Sequence, residues 1–368
     1  MREVKAGEIL EVKTGKYDAN HAKEDGAFEF FTCALKPFKS DTFSFDDEVI
    51  ILPGNGANVG EVLYYNGKLE AYQRTYVLHN IKEDPKYLFH FFRKYWIRQI
   101  TKKQVGSATN YIKMDDILSF KIPLPPLDQQ KKIAAILDAA DAYRQKTKAL
   151  IEKYDELTQS LFLDMFGDPV TNPKEFNEVT IGEVIDLITY GLTVRPEYHS
   201  KGIPLISARE IRSGKVDLST APKISVEDFE NLSVKAKPLK GDVLFSKTGS
   251  IGHCAIVEED TLFAVTQNAA RIVFKETINR TYAIYFLRTP FIQTLSQRRA
   301  KGNAVKDLQL GEMKKFKFIL PPIELQNKFA ERVQAIEVQK AQAEASLAQA
   351  EDLFNSLLQS AFKGELTS

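Results

Sequence analysis

Apolar and polar positions alternate in short bursts along most of the chain, and twice the pattern changes to a long helical period. In the first half, FEFFTCALKPF (28–38), EVIILPG (48–54) and EVLYYNGKLEAYQRTYVLHN (61–80) carry aromatic and β-branched runs broken by Gly, Pro and Asn, which predicts strands. In the second half, IPLISARE (203–210), GDVLFSKTG (241–249), HCAIVEE (253–259) and AARIVFK (269–275) do the same. One aromatic helix follows in each half, YLFHFFRKYWIRQI (87–100) and TYAIYFLRTPFIQTL (281–295). A Gly-containing loop, QVGSATNYIK or AKGNAVKDLQ, then leads to a short strand, FKIPL or FKFIL. A proline pair closes each strand, and a long helix follows.

The first long helix is predicted over 128–166, with Ile133, Ile136, Ala140, Tyr143, Thr147, Leu150, Tyr154, Leu157 and Leu161 as its seam. Leu137 and Ile151 widen that stripe. The second is predicted over 325–363, with Phe329, Val333, Ile336, Lys340, Ala343, Leu347, Ala350, Phe354, Leu357 and Ala361. Neither helix contains Pro or Gly, and at ~1.5 Å per residue each is on the order of 50 Å long. Gly167 and Pro169 end the first, and the second ends at Lys363–Gly364. Each helix could lie on its own domain, but two long seams in one chain favour an antiparallel coiled coil. Pro125–Pro126 and Pro321–Pro322 have fixed φ and lack amide donors, so they form stiff stops before the helices. Asp128 and Glu324 follow at the positive end of each helix dipole.

The two halves are copies. With a slide of 196 residues, Gly106–Ala134 faces Gly302–Ala330 without a gap, and ten of the 29 positions are identical: Gly106, Ala108, Phe120, Lys121, Leu124, Pro125, Pro126, Gln130, Lys132 and Ala134. GNGANVGEVLYYNGKLEAYQ (54–73) also resembles KTGSIGHCAIVEEDTLFAVTQ (247–267). The fold class this predicts is α+β: two similar β-rich domains in tandem, 1–126 and 167–322, each followed by a spacer helix, 127–166 and 323–368.

Composition narrows the class further. At 368 residues with 43% hydrophobic and 27% charged residues, the chain reads as a soluble globular protein of two or more domains. Two cysteines, Cys33 and Cys254, allow no disulfide framework beyond one bridge and suit a reducing, cytoplasmic location. The N-terminus has no signal-peptide core, and no run of 18 apolar residues could span a membrane. The net charge of +1 does not point to nucleic acid by itself.

Several possible chemistries fail on spacing. The Asn-Pro of TNPKEF (171–176) is a linker turn and lacks the Asn-Pro-Pro-aromatic pattern of adenine methyltransferases. KTG in 247–249 and TGK in 14–16 are not phosphate-binding loops. His253–Cys254 has no second ligand pair nearby, and DDEV (46–49) reads as a turn before a strand. No catalytic constellation is found, so the chain is read as a non-enzyme.

The strand–PLPPLxxQ–helix junction, LFLDMFGDP closing the first helix, ITYGLT opening the second β domain and KTGKYDANHAKEDGAFEFFTC near the start together resemble the DNA specificity (S) subunit of Type I restriction-modification systems. The resemblance covers essentially the whole chain. It implies two target-recognition domains, each reading one half of a split, asymmetric duplex DNA site, with an antiparallel coiled coil setting the distance between the halves. It also implies docking of methyltransferase (M) subunits and of restriction (R) subunits. No cofactor would then belong to this chain, since S-adenosylmethionine and ATP would be bound by those partners. A coiled-coil scaffold with two protein-binding domains is the alternative.

Loops rich in donors and acceptors supply the candidate DNA contacts. In the first half these are Lys16, Tyr17, Asn20, His21, Asn55, Asn58, Ser107, Thr109, Asn110 and Tyr111. In the second they are Tyr190, Thr193, Arg195, Arg209, Arg212, Lys247, Thr248, Lys301, Asn303 and Lys306. The plainer reading of each is a solvated loop residue. Basic helix flanks, Arg93, Lys94, Arg98, Lys102 and Lys103 in one half and Arg298, Arg299 and Lys301 in the other, suit phosphates or a solvated face.

Overall fold

In each unit the main sheet packs its inner face on the aromatic helix that follows it. The computed structural model describes residues 2–101, 111–194, 196–212 and 214–366. Contacts divide the chain into two units, Met1–Ala149 with Glu344–Ser368, and Leu150–Ala343. The division passes through both long helices.

In the first unit, β1 (Arg2–Lys5) leads through the one-turn α1 (Ala6–Ile9) to β2 (Glu11–Thr14). Then come β3 (Phe28–Phe31), β4 (Phe38–Ser40), β5 (Phe45–Pro53), β6 (Leu63–Ala71), β7 (Thr75–His79), α2 (Pro85–Thr101), α3 (Met114–Leu118) and β8 (Lys121–Leu124), before α4 (Leu127–Phe166) begins. The main sheet has the order β2-β7-β5-β6-β3-β4. Its inner side chains Ile50, Leu52 and Leu78 meet Tyr87, Leu88, Phe92 and Trp96 of α2. Ile133, Ala134 and Leu137 of α4 join the same core, as do Phe354, Leu358, Ala361 and Phe362 near the end of the chain.

The second unit contains β9 (Asn177–Thr180), β10 (Ile185–Tyr190), β11 (Ile203–Ile206), β12 (Lys223–Ile224), α5 (Val226–Asn231), β13 (Val243–Ser246), β14 (Cys254–Ile256), β15 (Ala264–Val265) and β16 (Ala269–Phe274). They are followed by α6 (Arg280–Leu287), α7 (Pro290–Arg299), α8 (Leu310–Met313), β17 (Lys317–Leu320) and α9 (Ile323–Lys363). The order β10-β16-β13-β14 repeats β2-β7-β5-β6. The continuous β6 has two counterparts here, β14 and β15, separated by residues 257–263, so β12-β11-β15 forms its own sheet. The single aromatic helix expected over 281–295 is two helices. Pro290 cannot donate to the preceding turn, and Thr289 caps the new helix by accepting the Ile292 N–H.

The duplication reaches further than the slide of 196 shows. EVKAGEI (3–9) and EVTIGEV (178–184) match at a slide of 175. Both open with a strand paired antiparallel to the pre-proline strand, β1 with β8 and β9 with β17. Glu8 accepts the Lys5 N–H at 3.1 Å, and Glu183 accepts the Thr180 N–H at 2.7 Å. The Ala6 and Ile181 N–H groups reach the Phe120 and Phe316 carbonyls at 2.8 and 2.9 Å.

The long helices form as predicted, with α4 and α9 holding 40 and 41 residues. Within the first unit the start of α4 packs beside the end of α9. Arg144 lies 4.5 Å from the Phe354 ring centroid, and Lys148 pairs with Glu351 at 3.2 Å. Within the second unit the end of α4 packs beside the start of α9. The Phe162 and Phe166 rings meet Phe329, and Lys340 pairs with Asp155. The pairing is antiparallel in each. Every predicted seam position of α9 is buried or half-buried.

On α4 the seam is partly corrected. Ile133, Ala140, Thr147, Tyr154 and Leu161 do face inward, but Leu137, Arg144, Ile151 and Thr158 complete the stripe, while Ile136, Tyr143, Leu150 and Leu157 are exposed. Polar side chains can occupy this seam because they are satisfied locally. The Thr147 and Thr158 hydroxyls each donate to the carbonyl four residues back, Tyr143 and Tyr154, at 2.9 Å. Their methyl groups are then left to pack.

Candidate nucleic-acid interface

In each unit the chain leaves its first sheet strand through a glycine that no other residue could replace. A Cβ on Gly15 would lie 1.7 Å from the Ala71 carbonyl oxygen, and one on Gly191 would lie 1.6 Å from that of Val265. The loops that follow are docked alike. The Gln73 N–H donates to the Tyr17 carbonyl at 2.9 Å, and the Gln267 N–H donates to that of Leu192 at 2.7 Å. Two equivalent loops, 16–21 and 192–194, therefore project from the same framework position.

In the first unit this loop presents Lys16, Tyr17 and Asn20 to solvent. The His21 ring stacks on Tyr17 at 3.7 Å with a 10° interplanar angle, meets Phe30 edge-on and hydrogen-bonds Thr42 at 3.0 Å. These three contacts fix the aromatic pair before any ligand arrives. Tyr111 is exposed, and its backbone bridges Asn55. The two asparagines are turned inward. Asn58 Nδ2 donates to the Cys33 carbonyl at 2.8 Å, and Asn55 Oδ1 accepts the Cys33 thiol at 3.0 Å, so both tie the 55–58 turn to Cys33. Ser107, Thr109 and Asn110 lie outside the described residues, as does Arg195 of the second unit.

In the second unit three segments converge. Tyr190 and Thr193 are exposed at the end of β10. The Lys247 ammonium lies 5.6 Å from the Tyr190 ring centroid, pairs with Asp307 and donates to Thr248 at 3.2 Å. Burial raises the Asp307 pKa, but the hydrogen bonds from Lys247 and Thr248 outweigh it and leave the carboxylate below its ordinary range. Lys301 and Asp307 exchange backbone hydrogen bonds at 2.9 and 2.8 Å, and the Gly249 N–H reaches the Lys306 carbonyl at 2.9 Å. Gly302 closes this loop with a φ of +119°. Lys301, Asn303 and Lys306 stay exposed around it, and an open groove beside them is lined by Gln297, Arg298 and Lys306. Arg209 is exposed nearby in sequence to Arg212, whose guanidinium donates to Ser250 at 3.1 Å.

Lys247 was expected at the surface, but its side chain is only 9% exposed and acts as a strut between loops. Its partner Asp307 had no sequence signal, because a lone acid in a loop looks solvated. Arg93, read as a basic flank, pairs with Asp141 at 2.9 Å and serves helix packing. Lys102 and Lys103 lie outside the described residues.

A family model described as the Type I restriction modification DNA specificity domain matches residues 1–154 and 173–350. Among curated proteins, the Type I restriction enzyme EcoDI specificity subunit of Escherichia coli is 37% identical over 154 residues, covering 42% of this chain and 34% of that protein. The EcoBI specificity subunit of the same organism is 29% identical over 301 residues, covering 73% and 62%. The chain thus spans less than two thirds of the length of either relative. Among solved structures, the S subunit of a Type-I restriction-modification system from M. genitalium matches with a TM-score of 0.67 at 16% identity, over 98% of this chain and 96% of that one. A chain from a structure concerning assembly and conformational transition of the type I R-M system gives 0.58 at 18% identity, over 99% and 98%. These two share the fold.

Proposed function

The chain belongs to the Type I restriction modification DNA specificity family, and on that premise we propose that it reads a two-part, asymmetric duplex site for a methyltransferase. The carrying observation is the pair of equivalent loops leaving matched glycines at Gly15 and Gly191. The framework is the same twice, but the side chains differ, Lys16, Tyr17, Asn20 and His21 against Tyr190, Thr193 and their neighbours. Two different half-sites follow from two different loops. Lys, Asn and Tyr groups supply base-edge and phosphate contacts, and the near-neutral net charge leaves part of the phosphate neutralisation to partner subunits.

The long helices act as the spacer between the half-sites and as the dock for methyltransferase subunits, with restriction subunits added to the same assembly. The exposed side chains Ile136, Tyr143, Leu150 and Leu157 recur every seven residues along α4, which suits a partner helix laid along it. S-adenosylmethionine and ATP are bound by those partners, and this chain contributes recognition alone.

The test is to combine the purified chain with its methyltransferase partner, expose the complex to a duplex library and map the methylated adenines. A split motif that disappears when this chain is withheld is expected. Methylation without a split motif, or methylation unchanged in the absence of this chain, overturns the proposal.

A further inference from the structure

Two buried glutamines occupy the same place in the two proline corners, and neither faces a loop that could read DNA. Gln130 and Gln326 are 1% and 0% exposed. Gln130 Nε2 donates to the Pro125 carbonyl at 2.9 Å and to Glu83 Oε2 at 2.8 Å, while its Oε1 accepts the Asp84 N–H at 3.1 Å. Gln326 repeats the arrangement. Its Nε2 donates to the Pro321 carbonyl at 2.8 Å and reaches that of Thr277 at 3.5 Å, and its Oε1 accepts the Asn279 N–H at 2.9 Å.

Asp84 and Asn279 in turn cap the aromatic helices, accepting the Tyr87 N–H at 2.8 Å and the Thr281 N–H at 2.9 Å. Tyrosines on those helices bond back to the pre-proline strands. The Tyr87 hydroxyl donates to the Pro123 carbonyl at 2.6 Å, and the Tyr282 hydroxyl donates to that of Ile319 at 2.7 Å. One amide therefore ties together the proline turn, the first turn of the long helix and the cap of the aromatic helix.

Prolines fix φ but leave ψ free, so the proline pair alone does not set the angle of the corner. A buried amide with three hydrogen bonds does, because any swing of the helix would leave at least one buried group unmet. The lever is long. Over 40 residues at ~1.5 Å each, a tilt of about 5° moves the far end of α4 by roughly 5 Å, more than the ~3.4 Å rise of one base pair.

We propose that Gln130 and Gln326 are positioning residues that fix the direction in which each long helix leaves its β-rich part, and that they thereby set the gap between the two DNA half-sites. This rests on the DNA-reading function proposed above. Neither glutamine touches DNA.

The full chain in complex with its methyltransferase partner is tested on duplexes whose half-site gap varies one base pair at a time. For the unaltered chain, methylation at the preferred gap should exceed that at adjacent gaps by about tenfold, the scale of one wrong base pair in a site. Gln130→Met and Gln326→Met, which keep volume and lose the amide, should reduce that ratio to about threefold or shift the preferred gap by about one base pair, with the half-site bases unchanged. A uniform fall at every gap, with the ratio kept, is what a merely structural role would give, and it overturns the proposal. Should a methionine variant fail to fold, Gln130→Glu and Gln326→Glu keep the shape and lose the Nε2 donors to the Pro125 and Pro321 carbonyls, and an unchanged gap profile in them overturns it equally. An unaltered chain with no gap preference overturns the DNA-reading function and this inference together. A sharp preference that every variant retains overturns this inference alone.

Discussion

Tyr76 in the first unit and Arg271 in the second occupy equivalent sites in the two main sheets. Tyr76 faces Thr14 on one neighbouring strand and Leu52 on the other, while Arg271 faces Thr189 and Leu244. Their surroundings differ. The Tyr76 hydroxyl, half-buried, donates to the Ile112 carbonyl at 3.1 Å. The Arg271 guanidinium is buried and donates to Asp242 at 2.6 Å and to the Val234 carbonyl at 2.8 Å. The acceptors differ in origin: Ile112 lies outside the first sheet, whereas Asp242 stands at the head of β13 in the second. The strand framework thus tolerates a neutral hydroxyl or an ion pair at one position, according to the acceptor within reach.

Arg271→Met strands the Asp242 carboxylate in the interior and should cost about 3–5 kcal/mol in urea unfolding. Tyr76→Phe should cost only about 1 kcal/mol. Adding Asp242→Asn to Arg271→Met removes the stranded charge while keeping the acceptor for the Leu239 N–H, so it should recover part of the loss. If Arg271→Met costs no more than Tyr76→Phe, the ion pair does not hold the second sheet's cover in place.

On the aromatic helices, His90 and Tyr285 are equivalent, and each bonds a carboxylate on a long helix. His90 Nε2 lies 2.8 Å from Asp138, and the Tyr285 hydroxyl donates to Glu337 at 3.3 Å. Burial lowers the His90 pKa, outweighing Asp138, whereas burial pushes Tyr285 up to about 12. A histidine with a depressed pKa resists protonation in the folded state. Its contribution is therefore present above the unfolded value of ~6.5 and is lost as pH falls below it. His90→Phe should cost about 1–3 kcal/mol at neutral pH and flatten the decline of stability towards pH ~5.5. His79 and His253, whose pKa burial also lowers, keep part of the slope in that variant. Tyr285→Phe should leave the slope untouched. Equal slopes in the two variants would remove His90 from the account.

The smallest effect sharpens the likeness of the two corners. Asp128 and Glu324 stand in the first turns of α4 and α9. Neutralising either, as Asp128→Asn or Glu324→Gln, should cost about 0.3–1 kcal/mol at low salt and less at high salt. Losses that differ well beyond that range would show that the two helix starts are not equivalent.

Much of this architecture is legible in the sequence. The tandem copies, the proline corners and both long helices follow from identity at a fixed slide and from a 3,4 apolar period. The matched openings around Gly7 and Gly182 escape that slide because their spacing is 175, which the intervening insertions hide. The seam of α9 is also legible, because only one apolar stripe runs along it. α4 carries two overlapping stripes, and periodicity cannot rank them.

Local residue type and spacing are enough to place the stiff segments, the repeat and the polar loops. Long-range packing selects which stripe of α4 turns inward, makes Lys247 a brace between loops and lets Gln130 and Gln326 lock the corners. The reason is physical. A polar side chain points inward only if a partner waits there, and the partners, Asp307 for Lys247, Asp84 for Gln130 and Asn279 for Gln326, lie dozens of residues away in the chain.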